Sequence, residues 1–282
     1  MNKIGVHLMV WSGDVGHAEL DRLPDIKKMG YDGVEIPIFG LDTFEPVTVR
    51  SAIEEAGLQC TTSTALPEGI NLIDEDCRDQ GVRWLQDVIK ITASLGASVL
   101  CGPMIVPVGE LRGRGYTEAE WESCIIALKE VGNVAQDHGV AIALEPLNRF
   151  ETFFFNAVSD GVQMCDAVDN PAIGLLLDTF HMNIEEKSQA QAIQSSAKHI
   201  KHFHCSENDR GTVGTGQVPW ANVFAALNNA NYDGWLTVES FSARIPELAA
   251  ATCIWRPLAE SPDALAKDSL RFIQMERHKL RL

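Results

Sequence analysis

Nowhere does an apolar run approach the ~18 residues that a membrane-spanning helix needs, so no membrane partner is expected. The opening Met1-Asn-Lys-Ile-Gly-Val-His7 also lacks the long apolar segment of a secretory signal. Basic residues are scarce: 23 Lys and Arg stand against 39 Asp and Glu, a formal net charge of −16. A nucleic-acid binder needs a basic stripe to displace counterions, and none is visible, so no nucleic-acid partner is expected either. The acidity reads as a solvated surface. The seven cysteines (Cys60, Cys77, Cys101, Cys124, Cys165, Cys205, Cys253) are an odd set with no C-x-x-C pair. Several lie inside apolar runs, where a free thiol behaves as a small hydrophobe. A reduced, cytoplasmic protein is the expectation. No linker, low-complexity tract or charge run divides the chain, so residues 1–282 are read as one domain.

What is present is a repeated punctuation: an amphipathic helix, a glycine that ends it, then a short β-rich run. It occurs at Lys28-Met-Gly30, Glu55-Ala-Gly57, Ser94-Leu-Gly96 and Asp137-His-Gly139. Glycine after a helix takes the left-handed conformation that caps the last carbonyls. The pattern predicts parallel strands at 3–10, 32–37, 58–64, 97–102, 140–145, 173–178, 199–204 and 234–239. Leu85, Val88, Thr92 and Leu95 share one helical face, as do Trp121, Ile125 and Leu128. A last helix spans about 262–278, with Ser261 as N-cap and Pro262 at its first position. Eight strands each followed by a helix predict an α/β fold, a single (β/α)8 TIM barrel. An open, doubly wound sheet is the competitor, but Trp11-Ser-Gly-Asp-Val-Gly after strand one is no G-x-G-x-x-G turn. Long loops at 103–116, 205–217 and 241–260 follow strands, on the face where barrels keep their chemistry.

The organising stretch is Gly139-Val-Ala-Ile-Ala-Leu-Glu145-Pro-Leu-Asn-Arg-Phe-Glu151, an apolar run ending on a carboxylate. The same arrangement returns at Asp178, His204 and Glu239, so strands 5–8 present Glu, Asp, His and Glu at their C-terminal ends. A lone strand-end carboxylate is often only a helix cap or an ion-pair partner. Four in succession, three of them acidic, would repel one another without a cation. Glu145, Asp178, His204 and Glu239 are therefore read as ligands of one divalent metal ion. The oxygen-rich set suits Mn²⁺, Mg²⁺ or Co²⁺ better than a thiolate-loving ion. His202 and His204 share one side of strand seven; His204, nearer the carboxyl end, is taken as the ligand. Glu35, a charge inside an apolar run, either binds substrate or pairs with an Arg or His of another strand. Trp11 is a candidate for the pocket wall. Gly211-Thr-Val-Gly-Thr-Gly216 sits where barrels often bind phosphate, though an unphosphorylated sugar is favoured.

Three segments carry a specific resemblance: Glu145-Pro-Leu-Asn-Arg-Phe-Glu151-Thr, Leu177-Asp178-Thr-Phe-His181-Met-Asn-Ile-Glu-Glu and Ser206-Glu-Asn-Asp-Arg210-Gly-Thr-Val-Gly-Thr-Gly216. The sequence resembles the ketose 3-epimerases, the D-tagatose and D-psicose (allulose) 3-epimerase group of the sugar isomerase/epimerase barrels. The match is dense over 139–241 and weaker over the first hundred residues. The resemblance implies Mn²⁺ held by Glu145, Asp178, His204 and Glu239, with Glu145 and Glu239 doubling as the proton-transferring pair. It implies that Glu151, His181 and Arg210 hold the ketose oxygens, that Phe241 contacts the sugar, and that the protein forms a homodimer or homotetramer. In one departure, the loop Met104-Ile-Val-Pro-Val108-Gly lacks the aromatic that family members often carry there.

The residue types suit that chemistry. Inverting C3 of a ketose means removing a proton beside the C2 carbonyl, and a dication polarises that carbonyl and stabilises the cis-enediolate. Two carboxylates on opposite faces can then work in turn, whereas a single base returns the proton to the face it left. The alternative enzymes on the same barrel are a 1,2-aldose–ketose or hydroxypyruvate-type isomerase and an inosose isomerase or dehydratase. A metal-dependent nuclease would need more histidines and a basic face, and a non-catalytic sugar-binding barrel is a third class.

Overall fold

A computed structural model describes residues 2–41 and 44–280. The strands are β1 (Lys3–His7), β2 (Gly33–Pro37), β3 (Gln59–Ser63), β4 (Val99–Gly102), β5 (Ala141–Leu144), β6 (Ile173–Asp178), β7 (Ile200–Cys205) and β8 (Trp235–Val238). Every neighbouring pair is parallel, and β1 pairs β8 to close an eight-stranded barrel. The helices are α1 (His17–Leu20), α2 (Leu23–Met29), α3 (Pro46–Glu55), α4 (Glu75–Ser94), α5 (Glu118–Asp137), α6 (Val158–Val168), α7 (Thr179–Glu185), α8 (Gln189–Ser195), α9 (Trp220–Asn229), α10 (Pro246–Thr252) and α11 (Pro262–Leu280). This is the TIM barrel that the alternating pattern predicts.

Local chemistry explains the element ends. Gly30, Gly57, Gly96 and Gly139 all have positive φ, between 67° and 108°, as helix-terminating glycines should. Ala264 N donates to Ser261 Oγ at 3.1 Å, so Ser261 caps α11 as expected. One boundary differs. β1 stops at His7 instead of running to Val10, because Met9 N donates to His7 Nδ1 at 3.1 Å and turns Leu8–Val10 into a 3-10 helix. On α4, Leu85, Val88 and Thr92 are buried together, but on α5 only Leu128 of its expected trio is. Trp121 and Ile125 lie at the edge of that face, which centres on Cys124, Leu128, Val131 and Ala135.

The main hydrophobic core lies between strands and helices. A small separate cluster, Val99, Cys101, Ala143 and Leu176, belongs to β4–β6. Beside it stand polar groups, with His7, Glu35 and Thr61 in register across β1–β3. A TIM barrel normally fills this interior with branched apolar side chains. Polar residues there need partners, and the partners lead directly to the site.

Candidate active site

Glu145 follows β5, Asp178 ends β6, His204 lies one residue inside the end of β7, and Glu239 follows β8. Parallel closure brings the four together: they are buried, with one potential ligand atom each and all four atoms within 4.8 Å of one another. His204, not His202, stands in this cluster. Its Nε2 lies 2.7 Å from Glu35 Oε1, which takes the ring proton. The other nitrogen, Nδ1, is turned 3.3 Å from Glu239 Oε1 and has no hydrogen-bond partner among the described residues. Against the cost of burial, Glu239 and Glu35 hold this imidazole well above its usual pKa range, so a proton on Nδ1 faces the carboxylates where a hard dication would take its place.

Electrostatics point the same way. Burial, and then Glu239, push the Glu145 carboxyl well above its usual range. Burial also lifts Asp178, against the pull of Arg210, to about 7. Glu239 is held low, because His204 and Arg210 outweigh the cost of burial. Three carboxylates are thus more negative charge than the cluster tolerates by itself.

Asp178 is also a helix cap: Phe180 N donates to its Oδ1 at 2.7 Å, leaving Oδ2 free to face the site. Arg210 Nη1 donates to Asp178 Oδ2 at 2.6 Å, to Glu239 Oε2 at 2.5 Å and to Ser206 Oγ at 2.9 Å. The guanidinium is clamped between the rings of Phe180, 3.9 Å away, and Phe241, 5.0 Å away. Asn148 N donates to His181 Nδ1 at 3.0 Å, which puts the imidazole proton on Nε2. Burial, then Arg210, push His181 well down, so the ring stays neutral and Nε2–H remains a donor. Arg210 Nη2 stands 3.1 Å from that nitrogen. The two groups lie side by side on the cavity wall, where both can donate to one substrate oxygen, the arrangement that stabilises a developing oxyanion. Glu151 reaches His181 only through Asn148, whose Nδ2 donates to Glu151 Oε1 at 2.7 Å.

These side chains line one cavity of about 330 Å³, with Glu145, Glu151, His181, His204, Arg210 and Glu239 at its polar end. Elsewhere the wall is largely apolar, with Met9, Ala65, Val108 and Leu248, and among the described residues its aromatic carbocycles are Phe39 and Phe241. His7 also lines it and was not singled out in the sequence; its position at the end of β1 was the available signal. Asn148 and Phe180 were missed for a different reason: their roles depend on contacts to His181 and Arg210.

Glu35 departs from the expectation that it binds substrate. It is fully buried beneath the cavity and is not among its lining residues. Thr61 Oγ1 donates to its Oε2 at 2.7 Å, and His202 Nε2 and His204 Nε2 each lie 2.7 Å from its carboxylate. The second reading of Glu35, pairing with a histidine of another strand, is the one realised. Glu35, Cys101, His202 and His204 also converge. A hydrogen bond from His204 Nε2 to Glu35 already occupies this group, though, and burial pushes the Cys101 thiol well up, so it is not a thiolate metal site. Trp11 likewise points away from the cavity: its Nε1 donates to Asp263 Oδ1 at 2.7 Å and Arg22 lies over the ring.

Residues 23–275 match the family model described as xylose isomerase-like TIM barrel. A Synechocystis protein named "Probable ketose 3-epimerase" is 38% identical over 96% of each chain. An L-ribulose 3-epimerase from Mesorhizobium japonicum is 34% identical, over 97% of this chain and 93% of its own. The chain belongs to the ketose 3-epimerase family of the xylose isomerase-like TIM barrels. A solved L-ribulose 3-epimerase superposes on this epimerase with a TM-score of 0.94 at 32% identity, covering 100% of this chain and 96% of that one. A D-allulose 3-epimerase from Methylomonas sp., solved in complex with D-allulose, gives 0.92 at 31%, covering 98% and 97%. Membership makes the protein an isomerase-class sugar enzyme. No helix among the described residues is long and apolar enough to cross a membrane.

Proposed function

We propose that the protein inverts C3 of a free ketose through a cis-enediolate, with Glu145 and Glu239 as the acid/base pair. The observation carrying this reading is that β5 and β8 deliver two buried carboxylates to one cavity, in a cluster with Asp178 and His204. One carboxylate takes the C3 proton and the other returns a proton to the far face. Neutral His181 and cationic Arg210 donate to the oxygens that gain charge, and Glu151, which also lines the cavity, accepts from a sugar hydroxyl. Phe241 backs Arg210 and meets the sugar. A divalent ion, Mn²⁺ with Mg²⁺ or Co²⁺ as substitutes, is proposed on Glu145, Asp178, His204 and Glu239, where it supplies Lewis-acid stabilisation of the enediolate.

The substrate is read as unphosphorylated because Gly214 N and Val218 N, in and just beyond the loop's glycine-rich stretch, already donate to the carboxylate of Glu207. The amides that a phosphate would use are occupied from within. The seven free cysteines support a cytoplasmic location for a catalytic domain spanning 1–282. Exposed Phe150 and Trp255 support a homodimer or homotetramer.

Incubating D-allulose or L-ribulose with the protein and Mn²⁺ in D2O tests the reaction. Deuterium is expected at C3, together with the C3 epimer, by NMR. Deuterium at C1 with an aldose product would instead establish a 1,2-isomerase.

Glu35 supplies a second check. Because it fixes the His204 proton on Nε2, leaving Nδ1 free for a metal, Glu35→Gln is expected to weaken Mn²⁺ binding roughly 10- to 100-fold. Calorimetric titration reads this directly, and parent-like affinity would remove Glu35 from that role.

A further inference from the structure

We propose that Glu207 is a positioning residue: an internal anion that folds the loop after β7 and so aims Arg210 into the active site. This rests on the epimerase reading for Arg210, but the loop geometry stands by itself.

Glu207 is fully buried, and no cation pairs with it among the described residues. Its charge is met entirely by N–H groups. Asn208 N and Val218 N donate to Oε1 at 3.2 and 3.0 Å, and Gly214 N and Trp220 Nε1 donate to Oε2 at 2.8 Å each. Backbone N–H groups converging in a turn form an anion-binding concavity, and the loops after strands seven and eight are where barrels use one for phosphate. Here the chain fills it with its own carboxylate. Space for another occupant is lacking as well: a Cβ on Gly216 would lie 2.7 Å from Glu207 Cγ and 2.2 Å from Asn208 Oδ1.

The loop transmits this order to Arg210. Arg210 N donates to Glu207 O at 2.9 Å, and Ser240 Oγ donates to Arg210 O at 2.6 Å. Arg210 itself sits at φ +62°, a left-handed conformation that a non-glycine residue holds only when its surroundings impose it. Once the carboxylate is gone, Gly214, Val218 and Trp220 lose their side-chain anchor, and Gln217 N donating to Asn208 Oδ1 at 2.7 Å remains as a cross-link from the far side of the turn to the segment bearing Arg210. In Glu207→Gln the amide group of the side chain faces N–H donors, so that one side of the nest loses both hydrogen bonds.

The test compares Glu207→Gln and Glu207→Asp in the full chain, loaded with Mn²⁺. E207Q is expected to lower kcat/KM on the order of 100-fold, the effect of a misplacement of about 1 Å in a catalytic group. E207D, which keeps the charge, should recover a substantial part of the loss. Mn²⁺ affinity should not fall in either variant, because the four proposed ligands lie outside the loop. Amide hydrogen exchange should accelerate across 206–218 and not across β5 or β6.

Parent-like kcat/KM in E207Q beside an active parent overturns the proposal, and so does a loss of Mn²⁺ binding in step with activity. Should E207Q fail to fold, Trp220→Phe removes a single donor and should lower kcat/KM about fivefold, with the same exchange signature; no change in either reading overturns the proposal equally. A parent that shows no C3 exchange overturns the functional reading instead. In that case hydrogen exchange in 206–218 still decides the loop, unchanged protection counting against it.

Discussion

Epimerisation is expected to fall on the order of 10²- to 10⁴-fold when either Glu145 or Glu239 is replaced by Gln, the range that one general acid or base supplies. Gln preserves shape and one oxygen donor, so the change removes proton transfer while leaving most of the packing. The two variants should also differ in kind. If the carboxylates serve opposite faces of C3, each variant keeps the one that attacks a single epimer. Deuterium exchange at C3 should then survive for one epimer in E145Q and for the other in E239Q, with configuration retained. NMR of both epimers in D2O reads exchange and inversion separately. Epimerisation within tenfold of the parent in both variants would sink the two-carboxylate mechanism.

Chelation is expected to abolish activity without unfolding the protein. Activity should disappear on dialysis against EDTA and return with stoichiometric Mn²⁺, because nothing else in the cavity carries a double positive charge beside the two carboxylates. The fold should persist, because Arg210 already bridges Asp178 and Glu239, and His204 neighbours Glu239. A ligand that binds only the folded state at about 100 times its dissociation constant adds about 2.7 kcal/mol of stability. The melting temperature should therefore climb with Mn²⁺ concentration. Undiminished turnover after chelation, with no metal in elemental analysis of active protein, would remove the metal from the mechanism.

The strands were legible because each element has a local period and a local stop. Gly30, Gly57, Gly96 and Gly139 ended their helices as read, and the expected strand positions hold to within a few residues. The exception, the early end of β1, arises from His7 turning back on its own backbone, which hydrophobic pattern does not encode. The site was legible to the same depth. Residues at the ends of successive parallel strands must converge, so Glu145, Asp178, His204 and Glu239 could be grouped from spacing alone.

What spacing could not give was the partner of each buried polar group. Glu35 lies 169 residues from His204, and whether its carboxylate rises into the cavity or sinks beneath it depends on which way the strand faces in the closed barrel. Trp11 was drawn away from the cavity by Asp263 at the other end of the chain. Glu207 is one of two acids in Ser206-Glu-Asn-Asp209 with no pattern to mark it, and only the folded loop shows that it gathers four N–H groups. Sequence by itself determined the barrel and the acidic ring at its mouth, because periodicity and strand-end position are local properties of the chain. Tertiary structure decided which of the remaining charges touch the cavity and which brace it, because a buried charge is defined by the donors around it, and those come from distant strands.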